Sequence, residues 1–189
     1  MTVSQWADEF RRIPPESSAE PGVWRTSRAE YQREIMDAIS DPLIERVVVM
    51  TAAQVGKTEI LLNVIGYFID QEPSPILVLN PTLDMGQSFS KDRLAPMIRD
   101  TPVLRGKVKD PRSRDSGNTL MHKKFTGGHI TIAATNSPVS LAARPIRVLL
   151  CDEVDRYPPS SGKEGDPLTL AIKRTQNFWN RRILMVSTP

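Results

Sequence analysis

A chain of 189 residues, 39% hydrophobic and 25% charged, suits one α/β domain large enough to bury a sizeable core. The single cysteine, Cys151, excludes an intrachain disulfide and reads as a small buried residue in a reducing compartment. There is no signal peptide and no apolar run near the ~20 residues that a membrane span needs, so the cytoplasm is the expected location.

In chain order, residues 1–23 contain Pro14, Pro15, Pro21 and Gly22 without a sustained period, which predicts an extended N-terminal arm with room for a short amphipathic turn from Trp6 to Ile13. Ser27-Arg28-Ala29-Glu30 has capping-box spacing and predicts a helix carrying Tyr31, Ile35, Ala38 and Ile39 on one side until Asp41-Pro42 stops it. Residues 46–50 read as the first core strand. Residues 57–70 are apolar nearly all round and predict a helix packed against a sheet. A second strand over 75–79 leads through Asn80-Pro81-Thr82 into a helix ending near residue 99, with Phe89, Leu94 and Ile98 inward. Residues 128–134, 147–151 and 182–186 supply three further strands. Strands alternating with helices predict an α/β fold, a mostly parallel sheet with helices on both faces, and a ligand site at the carboxyl ends of its strands. Residues 157–167, rich in Pro, Ser and Gly, are expected to form a mobile loop.

The formal net charge of +3 is modest but unevenly distributed. Residues 105–124 hold seven Lys/Arg against two Asp, a local net of +5 that leaves −2 for the rest of the chain. Such a stretch is either a solvated loop or a surface that tracks a phosphate backbone. His122 and His129 have no Cys or acidic cluster at metal-ligand spacing, which sets aside a structural zinc site.

Between the first strand and its helix lies Thr51-Ala52-Ala53-Gln54-Val55-Gly56-Lys57-Thr58. It ends in the Gly-Lys-Thr of a phosphate-binding loop, with Thr51 where the first glycine usually stands. Backbone N–H groups of such a strand-to-helix turn converge on one place and can cradle a polyphosphate. Lys57 would reach the outer phosphates, and the Thr58 hydroxyl would ligate Mg2+. About 95 residues downstream, the apolar run Val148-Leu149-Leu150-Cys151 ends in Asp152-Glu153. Read alone, that pair is a turn or helix cap. Read with the loop, Asp152 would hold the Mg2+ shell and Glu153 would polarise an attacking water, the two roles that phosphoryl transfer needs.

Tyr31-Gln32, Ala53-Gln54-Val55-Gly56-Lys57-Thr58, Asn80-Pro81-Thr82, Ala143-Arg144-Pro145-Ile146-Arg147, Asp152-Glu153-Val154-Asp155 and Ser187-Thr188-Pro189, in that order, resemble the ATPase domain of phage large terminase subunits, most closely the lambda-type (GpA-like) branch. The resemblance runs from Trp24 to the end and implies a P-loop NTPase (RecA-like, ASCE) fold over residues 24–189. It implies ATP and Mg2+ as cofactors, hydrolysis that translocates double-stranded DNA into a procapsid, and the host cell cytoplasm as the place of action. Implied partners are the terminase small subunit, the portal and further copies in a ring. It assigns Tyr31 and Gln32 to adenine recognition, the alternative being that Tyr31 packs on the sheet. Gln54, Val55, Gly56, Lys57 and Thr58 would form the phosphate cradle, with Asp152 and Thr58 on the metal and Glu153 as the catalytic carboxylate that polarises the water. Ser187 and Thr188 would sense the γ-phosphate. Arg144 matches the arginine that reaches a neighbour's ATP. Arg147 could equally be that finger, or either arginine could pair with Glu153 or Asp155.

Ala53 stands where many terminases place an arginine, so Arg144 or Arg147 is expected to supply that charge. The family's nuclease is not encoded in this segment, and the chain is expected to be the N-terminal part of a longer protein. Two other readings stand beside the motor: a superfamily 2 helicase-like ATPase, and a non-hydrolysing module that docks DNA or subunits through residues 105–124.

Overall fold

The apolar runs of the sequence form the centre of a six-stranded sheet in the computed structural model, which describes residues 1–108, 118–137, 144–163 and 165–189. Strands β3 (Arg46–Met50), β4 (Pro75–Asn80), β6 (Gly128–Ala134), β7 (Val148–Cys151) and β8 (Arg182–Ser187) are mutually parallel; β5 (His122–Phe125) pairs antiparallel with β6. The order across the sheet is β3-β8-β7-β4-β6-β5. Every residue of β7 is buried and β4 is buried from Ile76 onward, as continuous apolar runs in a parallel sheet require. The α/β architecture with helices on both faces is the one expected.

One face carries α3 (Lys57–Asp70) with α2 (Tyr31–Ser40) and α1 (Val3–Phe10) outside it, sharing a core with Ile76, Val78, Val148 and Leu150. Among the described residues the opposite face is covered by α6 (Pro167–Lys173), whose Ala171 packs with Leu77, Leu149, Cys151 and Ile183. Burial pushes the Cys151 thiol up to about 12, consistent with an inert core residue.

Residues 1–23 are not an extended arm. Thr2 caps α1 through a reciprocal capping box with Gln5, a Thr-x-x-Gln spacing that starts the helix ahead of the prolines. Trp6 is fully buried against Gly66 of α3, where a Cβ would collide with the indole, and its Nε1 donates to Asp70 Oδ2 at 2.9 Å. Two short strands, β1 (Arg12–Ile13) and β2 (Gly22–Val23), close the segment as a hairpin. The expected capping box at Ser27 is absent. Residues Thr26–Ala29 form a 3-10 turn, and α2 opens at Tyr31 with no side-chain cap.

After β4 the chain runs through α4 (Leu83–Ser88), a π-helical turn (Phe89–Leu94) and α5 (Ala95–Asp100). Pro96 has no N–H and its ring crowds the carbonyl four residues back, so the ladder re-routes and Ala95 N bonds Ser90 O. Phe89 and Leu94 still face the core. Within residues 157–167, the Tyr157 end is anchored, its hydroxyl donating to Leu79 O at 2.8 Å.

Of the basic stretch 105–124, residues 109–117 lie outside the described residues. Lys107 pairs with Asp70, and Lys123 is buried within β5, its Nζ donating to Leu120 O at 3.4 Å. Neither is a freely solvated charge.

Candidate functional site

The neighbouring parallel strands β3, β8 and β7 end on one edge, so the segments that follow them converge there. Thr51 N bonds Ser187 O at 3.2 Å, continuing the β3–β8 ladder by one residue. That explains the missing glycine, because the turn's positive φ angles fall later, on Gln54 (61°) and Gly56 (83°). Gly56 then caps α3, with Glu59 N and Ile60 N bonding its carbonyl. Lys57, the first residue of α3, sends its Nζ to Thr51 O (3.1 Å), Ala52 O (3.3 Å), Ser187 O (3.3 Å) and Thr188 Oγ1 (2.8 Å). Carbonyl and hydroxyl oxygens thus hold the ammonium at the mouth of the loop.

Lys57, Thr58, Asp152, Glu153 and Thr188 line one cleft of about 560 Å3. Asp152 is only 8% exposed, and burial, reinforced by the adjacent Glu153 charge, pushes its carboxyl up to about 6 against the pull of Lys57. A carboxylate short of charge compensation beside a hydroxyl donor set fits a hard divalent cation, and Thr58 and Asp152 are the residues that would hold it. Glu153 sits at φ 49°, a left-handed conformation that costs a non-glycine residue energy. Its Oε2 lies 3.0 Å from Arg156 Nη1, close enough for charge attraction yet misaligned for a hydrogen bond. Asp155 accepts from Thr188 N (3.1 Å) and Ser187 Oγ (3.2 Å), and the hydrogen bond from Thr188 holds its carboxyl below the usual range. Asp155 therefore fixes the turn after β8 against the acidic segment after β7.

Beside this cleft, a smaller one of about 270 Å3 lies between α2, the β1–β2 hairpin and the loop. Tyr31 is 58% exposed and does not pack on the sheet; its hydroxyl donates to Val55 O at 2.8 Å. Gln32 is buried, and its Nε2 donates to the same carbonyl at 3.0 Å. Both residues thus hold the loop through Val55, and Trp24 and Arg28 also line the smaller cleft.

Neither expected arginine lines the larger cleft. Arg147 precedes β7, at the amino end of the strands. It bonds Glu72 Oε2 (2.6 Å) and Ser74 Oγ (2.9 Å) and lies over the Phe68 ring, so it pairs with neither Glu153 nor Asp155. Arg144 Nη1 is 3.3 Å from His122 Nε2, and burial first, then His129 and Arg144, holds His122 down near 4. A neutral His122 accepts there and uses Nδ1–H towards Thr131 Oγ1 at 3.0 Å. Ala143 lies outside the described residues. The arginines that do line the cleft are Arg93 and Arg156. Arg156 follows the acidic motif and could have been found there; Arg93, in the helical segment after β4, carries no local signal.

The model of the family described as phage terminase large subunit gpA, ATPase domain, matches residues 18–189. The chain is 30% identical along its whole length to the terminase large subunits of Enterobacteria phage P21 and Escherichia phage lambda, and spans 29% of the length of each. Its fold is similar to that of the HK97 bacteriophage large terminase, with a TM-score of 0.75 and 13% identity over 99% of this chain and 38% of that one.

Proposed function

The chain belongs to the phage terminase large subunit gpA ATPase-domain family, and we propose that it hydrolyses ATP as the motor that drives double-stranded DNA into a procapsid. The observation that carries this reading is the placement of Lys57: it bonds Thr188 across the sheet edge and shares one cleft with Thr58, Asp152 and Glu153.

In this function the loop N–H groups and Lys57 bind the β- and γ-phosphates, with Gln54, Val55 and Gly56 shaping the cradle. Mg2+, held by Thr58 and Asp152, would neutralise charge on the transferring phosphoryl group. Glu153 orients a water in line with the γ-phosphorus and receives its proton. Tyr31 and Gln32 set the loop and border the smaller cleft, which suits the base. Ser187 and Thr188 sit where the Lys57 contact changes when phosphate enters, so they couple the site to the strand behind them. Arg144, outside its own chain's cleft, is supplied to a neighbour's site in a homo-oligomeric ring. The terminase small subunit and the portal would be the other partners, in the host cell cytoplasm. Among the described residues no helix is long and apolar enough to cross a membrane.

ATP binding that depends on Mg2+, is lost in Lys57→Ala, and survives in Glu153→Ala while turnover disappears is the expected pattern. Unchanged nucleotide affinity in Lys57→Ala would remove the basis of the reading. For Arg144, specific activity should rise with protein concentration, and mixing Arg144→Ala with Glu153→Ala should restore partial turnover. A DNA-docking module without turnover is less favoured, because Lys107 and Lys123 are engaged within the chain.

A further inference from the structure

We propose that Arg93, presented by the π-helical turn Phe89–Leu94, binds the polyphosphate of the nucleotide directly and supplies from within the chain the cation that the loop itself lacks. The inference rests on the nucleotide reading above and adds a residue to it. Among the described residues the cleft is lined by four carboxylates, from Glu59, Asp152, Glu153 and Asp155, against three cations, Lys57, Arg93 and Arg156. A polyphosphate entering that field needs cations not already committed. Arg156 lies 3.0 Å from Glu153 Oε2, and Lys57 is held by four oxygens.

Arg93 differs from both. Among the described residues its one hydrogen bond is long, 3.4 Å from Nη1 to Ser17 O, and Nη1 stays 3.8 Å from Glu59 Oε1, beyond hydrogen-bonding reach. Glu59 is already satisfied by Arg11, a fully buried guanidinium whose Nη2 donates to Glu59 Oε2 at 2.8 Å. Arg11 therefore takes the hydrogen-bonded place on Glu59 and leaves Arg93 a looser ion pair at 3.8 Å. With its side chain 42% exposed on the cleft, Arg93 keeps Nε and Nη2, which bond no described residue, for phosphate oxygens in a bidentate grip. The π turn accounts for its placement: re-routing the ladder before Pro96 keeps Phe89 and Leu94 in the core while Arg93 faces the cleft.

The test measures equilibrium binding of Mg·ATP, ADP and AMP to the whole chain carrying Arg93→Gln or Arg93→Lys, beside Lys57→Ala. Expected is a loss of about tenfold or more for ATP in Arg93→Gln, a smaller loss for AMP, and partial recovery in Arg93→Lys, with the melting temperature of the nucleotide-free protein unchanged. A structural role alone would lower the melting temperature and leave no dependence on phosphate number. If the wild type binds ATP, Lys57→Ala does not and Arg93→Gln binds within twofold, this inference fails and the nucleotide reading stands. If the wild type binds no ATP, the nucleotide reading itself fails. Should Arg93→Gln not fold, phenylglyoxal labelling of the wild type decides: Mg·ATP should protect Arg93 and leave Arg99, paired with Asp100 outside the cleft, unprotected. Equal labelling of Arg93 with and without nucleotide overturns the proposal.

Discussion

Lys57 Nζ donates to Thr188 Oγ1 at 2.8 Å, joining the first residue of α3 to the turn after β8 across 131 residues of chain. Removing that hydroxyl takes away a charge-assisted hydrogen bond, a class worth roughly 1.5–3 kcal/mol. Three carbonyls still hold the ammonium, so nucleotide binding should persist. Thr188→Val is expected to lower the ATP turnover rate by about tenfold or more while changing ATP affinity less, and Thr188→Ser to restore most of the rate. Steady-state kinetics beside direct binding measures the split.

Gly56 and Gln32 form a second tight pair. Gly56 needs its left-handed backbone, and a Cβ there would collide with Gln32 Nε2, which holds Val55 O. Gly56→Ala should cost about 1–2 kcal/mol from the backbone alone, plus whatever displacing Gln32 adds. In a Gln32→Ala background the steric part disappears. A double-mutant cycle in urea should therefore return a coupling energy well above the roughly 0.5 kcal/mol seen for independent sites.

The raised pKa of Asp152 sets a pH dependence with a definite sign. The folded protein holds this proton up to about 6 while the unfolded chain releases it near 3.8, so between those values the folded state binds more protons. Stability contributed by neutral Asp152 is present below about 4 and lost as pH rises through 6, about 3 kcal/mol in all. Asp152→Asn should accordingly raise the melting temperature at pH 8 relative to wild type, with little gain at pH 4. The same change should abolish the Mg2+ dependence of nucleotide binding, and wild-type Mg2+ affinity should climb as pH passes 6. Calorimetric melts and Mg2+ titrations at both pH values check each half.

At the amino end, Trp6 fills a groove that exists only because residue 66 is glycine. Trp6→Ala should destabilise the chain by about 3–5 kcal/mol, the cost of emptying a large buried aromatic site. Gly66→Ala should expel the indole, visible as a red shift in tryptophan emission, and lower the melting temperature comparably. Loss of Arg11 or deletion of residues 1–23 should also weaken ATP binding, since Arg11 reaches the first turn of α3 through Glu59.

Strands β3, β4, β6, β7 and β8 and helix α3 were legible in the sequence because their apolar runs are long and bounded by Gly, Pro and acidic residues, so the local pattern alone determines them. The loop through Lys57 and the pair Asp152-Glu153 were legible for the same reason: each sits at a strand end whose position follows from hydrophobicity. Sequence by itself also determined the family, through the order of those motifs. Helix α1 showed in the sequence only as room for a short amphipathic turn, because its burial depends on Gly66 sixty residues away, and β5 not at all, because an antiparallel edge strand needs only four residues and a partner. Which of the candidate arginines reaches the cleft was decided by tertiary structure. Ala53 pointed to Arg144 or Arg147, yet an arginine's reach is set by which strand end or helix face carries it. The fold places Arg147 against Glu72 at the far end of β7 and turns Arg93 into the cleft on a π turn that no local periodicity announces.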